Sequence, residues 1–280
     1  MPGIIIVTDS TTDLPKELLE QYQIKVIPLS VYVDGVAYED NVTITPLEFL
    51  HKMKHANELP KTSQPAVGIF VETYDRLGKD GDTIISIHMT SGMSGTYASA
   101  FAAAEMSSSN VIVIDSQMIS QALGFQVIEA AKMALEGCTV EMITNRMKEI
   151  LNRTSLFIVV ETLENLVKGG RVGKATGWIS SILSIKPIAM IQEGVYTPFA
   201  KVRTSSQIIK KLMERFEEVN NENKITEIGI SHADNLPLAE RLREEISRIT
   251  SVAVRIRPAS PVITTHTGPG AIGFSYHHCV

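Results

Sequence analysis

Thr83-Ile-Ile-Ser-Ile-His-Met-Thr-Ser-Gly-Met-Ser-Gly-Thr-Tyr97, followed by Ala98-Ser-Ala-Phe-Ala-Ala-Ala104, decides how this chain is read. Thr83 to His88 is an apolar, β-branched run that predicts a buried strand, and the alanine-rich stretch from Tyr97 predicts a helix. Between them lies a loop of glycines and hydroxyls. A strand-to-helix junction of this kind offers backbone N–H groups and the positive end of a helix dipole, the place where a carboxylate, a phosphate or a reacting oxygen settles.

Working outward, the same rhythm repeats. Ile4 to Thr8 reads as a strand, with Pro15 as a first helical residue capped by a hydroxyl or Asp13. Val26 to Val33 reads as a second strand, and Thr45-Pro-Leu-Glu48 has capping-box spacing. Lys61 to Ala66 leads into a helix from Val67 to Leu77. Val111 to Ile114 is a strand and Gln121 to Leu135 a helix. This is the alternation of a mostly parallel, helix-covered sheet. After Arg153 the pattern changes. Leu156 to Val160 is a strand, Ile188 to Ile191 and Tyr196 to Val202 form a hairpin through Glu193-Gly194, and Thr204-Ser-Ser-Gln207 opens an amphipathic helix. Ile225 to Ser231 and Val252 to Arg257 are strands around a helix from Leu236 to Ile249. The expectation is an α/β protein of two domains: residues 1–155, with a mostly parallel sheet, and residues 156–280, with a mixed or antiparallel α+β sheet.

The 280 residues are 44% hydrophobic and 20% charged, an ordinary globular composition. Twenty-six basic against 31 acidic side chains give a net charge of −5, which argues against nonspecific nucleic-acid binding. No apolar run approaches the ~20 residues that span a bilayer, and the start lacks the basic region of a signal peptide, so no stable membrane insertion is expected. Cys138 and Cys279 have no metal or redox spacing and read as free thiols in a reducing compartment, by default the cytoplasm. No cofactor or metal is implied.

Five segments place hydroxyls beside glycine or proline at expected strand ends: Asp9-Ser10, Thr62-Ser63, Ser91 to Thr96, Asp115-Ser116, and His266 to Ala271. Loops at the carboxyl ends of parallel strands share one sheet edge, so four of the five are expected at a common crevice. One of Thr62 and Ser63 would cap the next helix and free the other for a ligand. Gly92 and Gly95 let backbone approach Ser94 closely. His266 is read at the end of an apolar strand from Pro261. Met89, Met93, Met118 and Met190 read either as core or as the lining of a pliable pocket. Lys168-Gly-Gly-Arg-Val-Gly-Lys174 lacks Walker spacing, which leaves a solvated glycine turn or a basic patch for a partner.

Taken as a set, Thr8 to Pro15, Thr62-Ser-Gln-Pro65, Ser94-Gly-Thr-Tyr97, Asp115-Ser116 with Ser120 and Gly124, Lys168 to Gly173, Lys186-Pro187, Lys201-Val-Arg203 and His266 to Gly273 resemble the DegV family over essentially the whole chain. The resemblance implies a non-enzymatic protein that binds a long-chain fatty acid between its two domains. It would hand the acid to a fatty acid kinase, which makes an acyl phosphate for lipid synthesis. By position Thr62 and Ser94 would hold the carboxylate with His266 nearby, and Arg171, Lys201 and Arg203 would face the kinase. Two positions depart from the family pattern: Gly92 stands where serine is common and Ala122 where glycine is usual, changes expected to alter the pocket. Neutral hydroxyls and loop amides would then bind the head group without a buried cation. Two other readings stay open. Ser94, Asp115 and His266 follow the chain order of an α/β-hydrolase triad, although Thr96 replaces the last glycine of the elbow. A lipid sensor with no kinase partner would use the same pocket.

Overall fold

The structure, a computed structural model, describes residues 3–178 and 185–279. The first half runs β1 (Ile4–Asp9), α1 (Lys16–Gln21), β2 (Lys25–Ile27), β3 (Ser30–Val33), β4 (Val36–Glu39), α2 (Pro46–His55), β5 (Lys61–Ser63), α3 (Val67–Gly78), β6 (Thr83–His88), α4 (Thr96–Met106), β7 (Asn110–Asp115), α5 (Ser120–Leu135) and α6 (Val140–Asn152). The second continues with β8 (Thr154–Val159), α7 (Glu164–Lys168), β9 (Lys186–Gln192), β10 (Val195–Val202), α8 (Ser205–Glu222), β11 (Lys224–His232), α9 (Leu236–Ser247), β12 (Val254–Pro258), α10 (Pro261–Thr267) and β13 (Ile272–Cys279). Among the described residues three sheets form, in the orders β2-β1-β6-β7, β10-β9-β8-β13-β11-β12 and β4-β3-β5. The first is wholly parallel. The second is antiparallel apart from the β11–β12 pair. The fold is thus α/β, with a parallel sheet and a mixed one.

Four expectations need correction. The single strand read from Val26 to Val33 is two, because Pro28 cannot donate to a ladder: β2 joins β1, while β3 turns away into the three-stranded sheet. Pro15 is the residue before α1 rather than its first turn, and no side chain caps that helix. Neither Thr62 nor Ser63 caps α3, whose N-cap is Ala66; both lie in β5. The run Pro261 to Thr267 is a helix, not a strand. Ser260 accepts the Ile263 N–H and Pro261 takes the first turn, and these signals override the β-branched composition. Thr265 and Thr267 return their hydroxyls to the carbonyls of Pro261 and Ile263.

Helix α5 locks the two large sheets together. Eleven of the twelve residues from Ser120 to Ala131 are buried, the partly exposed Glu129 being the exception, as expected of a helix between two layers. Gly124 lets Leu14 and the Thr12 carbonyl approach from one side, and Gly229 of β11 lies against Gln121 on the other. One apolar cluster consequently runs from Ile6, Ile85 and Ile87 through Leu123 and Val127 to Leu156, Ile158 and Tyr196. The β9–β10 hairpin closes through a primed turn, with Glu193 and Gly194 at φ 51° and 74°. It reaches back across the seam, where Thr90 donates to the Gly194 carbonyl at 2.8 Å.

Candidate functional site

Where β5, the loop after β6, α7, β10 and α10 converge, the seam holds a cavity of about 240 Å³. Its apolar wall includes Leu29, Met89, Met93, Ile119, Ile158, Leu166, Val262 and Ile263, and its polar end Thr62, Ser63, Gln64, Ser94, Arg171 and His266. Residues from both halves line it. Thr62, Ser94 and His266, separated widely in sequence, therefore share one chamber. Asp9-Ser10 and Asp115-Ser116, expected at the same crevice, do not line it. Asp9 is buried against His88 (Nδ1 to Oδ2, 3.1 Å), Thr11 and the Met89 N–H. Burial would raise the Asp9 pKa, but these hydrogen bonds outweigh it and lower the value. Asp115 accepts from Ser91 Oγ (2.5 Å) and the Gln117 N–H, pinning the loop from outside.

That loop is not the open amide cradle its composition suggests. The N–H groups of Ser91, Gly92, Met93 and Ser94 go to Asp115, Thr90 Oγ1 and the Thr90 carbonyl. What it presents is the Ser94 hydroxyl, 2.8 Å from Thr96 Oγ1. Gly92 serves packing: a Cβ there would stand 2.6 Å from the Gly194 carbonyl and 2.8 Å from the Val195 side chain. Gly95 likewise leaves room for the Gln64 amide. Ala122, fully buried in α5, lines neither this chamber nor its surface. The two departures from the family pattern thus belong to packing. Met89 and Met93 line the cavity as expected, whereas Met118 and Met190 sit in or against the apolar clusters.

In the same chamber, Thr62 Oγ1 and His266 Nε2 are 2.8 Å apart. Burial, and then the nearby Arg171 guanidinium, push the imidazole down to about 4, so the ring is neutral at pH 7. A neutral ring carries one N–H. With that proton on Nε2, His266 donates to Thr62 and leaves the threonine hydroxyl free to donate into the cavity; with it on Nδ1, Thr62 donates to the ring. An anion in the cavity favours the first arrangement.

The Lys168-Gly-Gly-Arg171 turn is a helix C-cap that aims a cation inward. Gly170 takes φ 73° after α7, the Gly170 N–H bonds the Val167 carbonyl, and the Arg171 N–H bonds the Leu166 carbonyl. Gly169 is bare because a Cβ would lie 2.4 Å from His266 Nδ1. The Arg171 side chain is half-buried, with Nε donating to the Met93 carbonyl at 2.9 Å and Nη1 to the Gly169 carbonyl at 2.5 Å. Arg171, expected on a partner-facing surface, lines the cavity, whose polar end thus includes a cation that sequence reasoning placed elsewhere. Lys201 and Arg203 lie on the exposed surface, on and just beyond the end of β10. The hydrolase reading finds no assembled triad, since Ser94 pairs with Thr96, Asp115 with Ser91, and His266 with Thr62.

Fold and site together define an α/β protein with an apolar, polar-ended ligand chamber at the seam of two sheets. The chain belongs to the DegV family, whose profile, described as "Uncharacterised protein, DegV family", matches residues 3–278. A DegV domain-containing protein of Staphylococcus aureus (strain N315) is 40% identical over 270 residues, 96% of each chain. One from Streptococcus pneumoniae (strain R6) is 40% identical over 279 residues, 99% of this chain and 100% of the other. Among solved structures, a fatty-acid-binding DegV family protein from Thermus thermophilus superposes with a TM-score of 0.94 at 29% identity, covering 99% of this chain and 100% of its own. DegV of Bacillus subtilis, described as a fatty acid binding protein, superposes at 0.92 with 34% identity and full coverage of both.

Proposed function

We propose that this chain binds a long-chain fatty acid in the seam cavity and offers its carboxylate to a fatty acid kinase for acyl-phosphate formation. The observation that carries the binding is the asymmetry of one chamber: aliphatic walls at one end, and Thr62, Ser94, His266 and Arg171 gathered at the other. The relatives described as binding fatty acids support it. The tail supplies affinity. At about 0.8 kcal/mol per buried CH₂, a sixteen-carbon chain contributes a gross ~11 kcal/mol before ordering costs. Hydrogen bonds to the head, net about 1 kcal/mol each, fix its orientation instead. The protein then acts as a carrier without chemistry of its own, working in the cytoplasm, with residues 1–155 and 156–280 as its two domains.

Presentation to a kinase rests on the family resemblance and on the site's polar end, where Gln64 is exposed. Mass spectrometry of ligand extracted from the purified protein tests the binding: co-purified fatty acid supports it, and a chamber that yields none and takes up none when offered overturns it. Acyl-phosphate formation by a fatty acid kinase, measured with and without this protein, separates a carrier from a sensor. Turnover of an acyl ester that disappears in Ser94→Ala would instead favour the hydrolase.

A further inference from the structure

A smaller chamber of about 20 Å³ adjoins the main cavity, the two sharing Ile119, Ile158, Ile263 and Thr267 as a common wall. A space of this size holds about one water-sized group. Its far side is made by Ala233, Ala271 and Gly273 together with two serine hydroxyls, Ser120 and Ser231. Those hydroxyls are committed. Ser120 Oγ donates to the buried Asp13 carboxylate at 2.5 Å and lies 2.8 Å from Ser231 Oγ. Ser120 is held at φ 57°, a left-handed conformation uncommon for a residue other than glycine, which the surrounding bonds must maintain.

We infer that this second chamber is the chain-end gauge of the lipid site: it receives the terminal methyl of the fatty acid, and the Ser120–Ser231–Asp13 floor stops longer tails. The inference rests on the fatty-acid reading above. An alkyl end reaching further would have to break satisfied buried hydrogen bonds and gain nothing in return. Beside the floor, Gly273 sets the room. A Cβ there would meet nothing closer than Ser231 Cβ at 3.8 Å, so its missing side chain is space and not tight packing. Each methylene that finds apolar room adds about fourfold in affinity, and one that meets the floor adds none.

The test is a panel of saturated fatty acids of increasing length, titrated by displacement of a fluorescent fatty acid from wild type, Gly273→Ala and Gly273→Val. Affinity of wild type should rise about fourfold per carbon and then break. The break should move to shorter chains in Gly273→Ala and further in Gly273→Val. Thr62→Ala should weaken every length alike and leave the break in place. If valine prevents folding, the alanine variant, which clashes with nothing, carries the test. A break that stays at the wild-type length in every folded Gly273 variant overturns the gauge alone. Wild type that binds no fatty acid of any length overturns the parent reading instead.

Discussion

Thr62 and Ser94 both line one chamber, and each hydroxyl has a neighbour that can orient its proton: His266 Nε2 for the first, Thr96 for the second. Each is half-buried, so truncation empties little core. Thr62→Ala and Ser94→Ala should each weaken fatty-acid binding about fivefold, the worth of one net hydrogen bond, with the circular dichroism spectrum unchanged. Titration of a fluorescent fatty acid reads this, and unchanged affinity in both variants removes them from the head-group site. Both stood out in the sequence as hydroxyls near proline or glycine at expected strand ends, while the head-group role proposed for them came from the family resemblance. Arg171 was legible as a cation but not in its direction. Its aim depends on the C-cap set by Gly170 and on the contact of Gly169 with His266, and both are tertiary facts. Gly92 gives a sharper test of the seam. In Gly92→Ala the added methyl meets a backbone carbonyl, which cannot swing away as a side-chain tip would. The cost should be about 1–3 kcal/mol, measured by urea unfolding.

At the scale of elements, periodicity and capping found most of the scaffold: β6, β7, the β9–β10 hairpin and α8 lie where the pattern places them, and Thr45 and Thr204 form their capping boxes. Strand β13, between β8 and β11, lies where sequence reasoning placed no strand, although Ile272, Phe274 and Tyr276 alternate with Gly273, Ser275 and His277; the three-stranded sheet escaped because it is assembled from short pieces whose partners are distant in sequence. Helix α10, which brings His266, Val262 and Ile263 to the cavity, was hidden by its β-branched residues. Its start is held by two buried carboxylates: Asp13 accepts the Ser260 N–H and Asp40 the Val262 N–H. Burial raises Asp13 to about 6 and Asp40 to about 7, against which Ser120 and Ser10 respectively are the first of the opposing hydrogen bonds. The folded state thus binds these protons more tightly than the unfolded chain, and the contribution of the pair to stability falls as pH rises from about 4 to 7. His266, lowered to about 4, acts with the opposite sign over the same range. The difference between Asp40→Asn and wild type isolates the acid. The variant should gain relative stability steadily from pH 4.5 to 7.5 in denaturant titrations, and a flat difference would show that Asp40 is already ionised in the fold.

For the whole molecule, the consequence of α5 is that the two large sheets share one core between them, while each keeps a second on its other face, around Val7, Phe70 and Ile84 in one and Phe157, Phe216 and Ile228 in the other. The apolar cluster that includes Ile85 and Ile87 is the one that includes Leu156 and Ile158, and the ligand chamber opens within it. The proposed kinase contact, by contrast, would use the outer surface, where Arg203 is exposed beyond β10 and its backbone N–H is engaged by Gln207. Arg203→Ala should therefore leave lipid affinity unchanged while slowing acyl-phosphate formation with a fatty acid kinase, and normal kinetics would remove that surface from the proposal. Lipid binding should behave in the opposite way, as a property of the entire fold. Because the chamber takes walls from both sheets, a fatty acid stabilises the two together, by about 2.7 kcal/mol at a hundredfold excess over Kd. Unfolding followed by hydrogen exchange in β6 and in β8 should then show one cooperative transition in each state, shifted equally by ligand in both strands. Protection that rises in β6 alone would mean that the seam opens independently of the sheets, and that the lipid is held by one side of it.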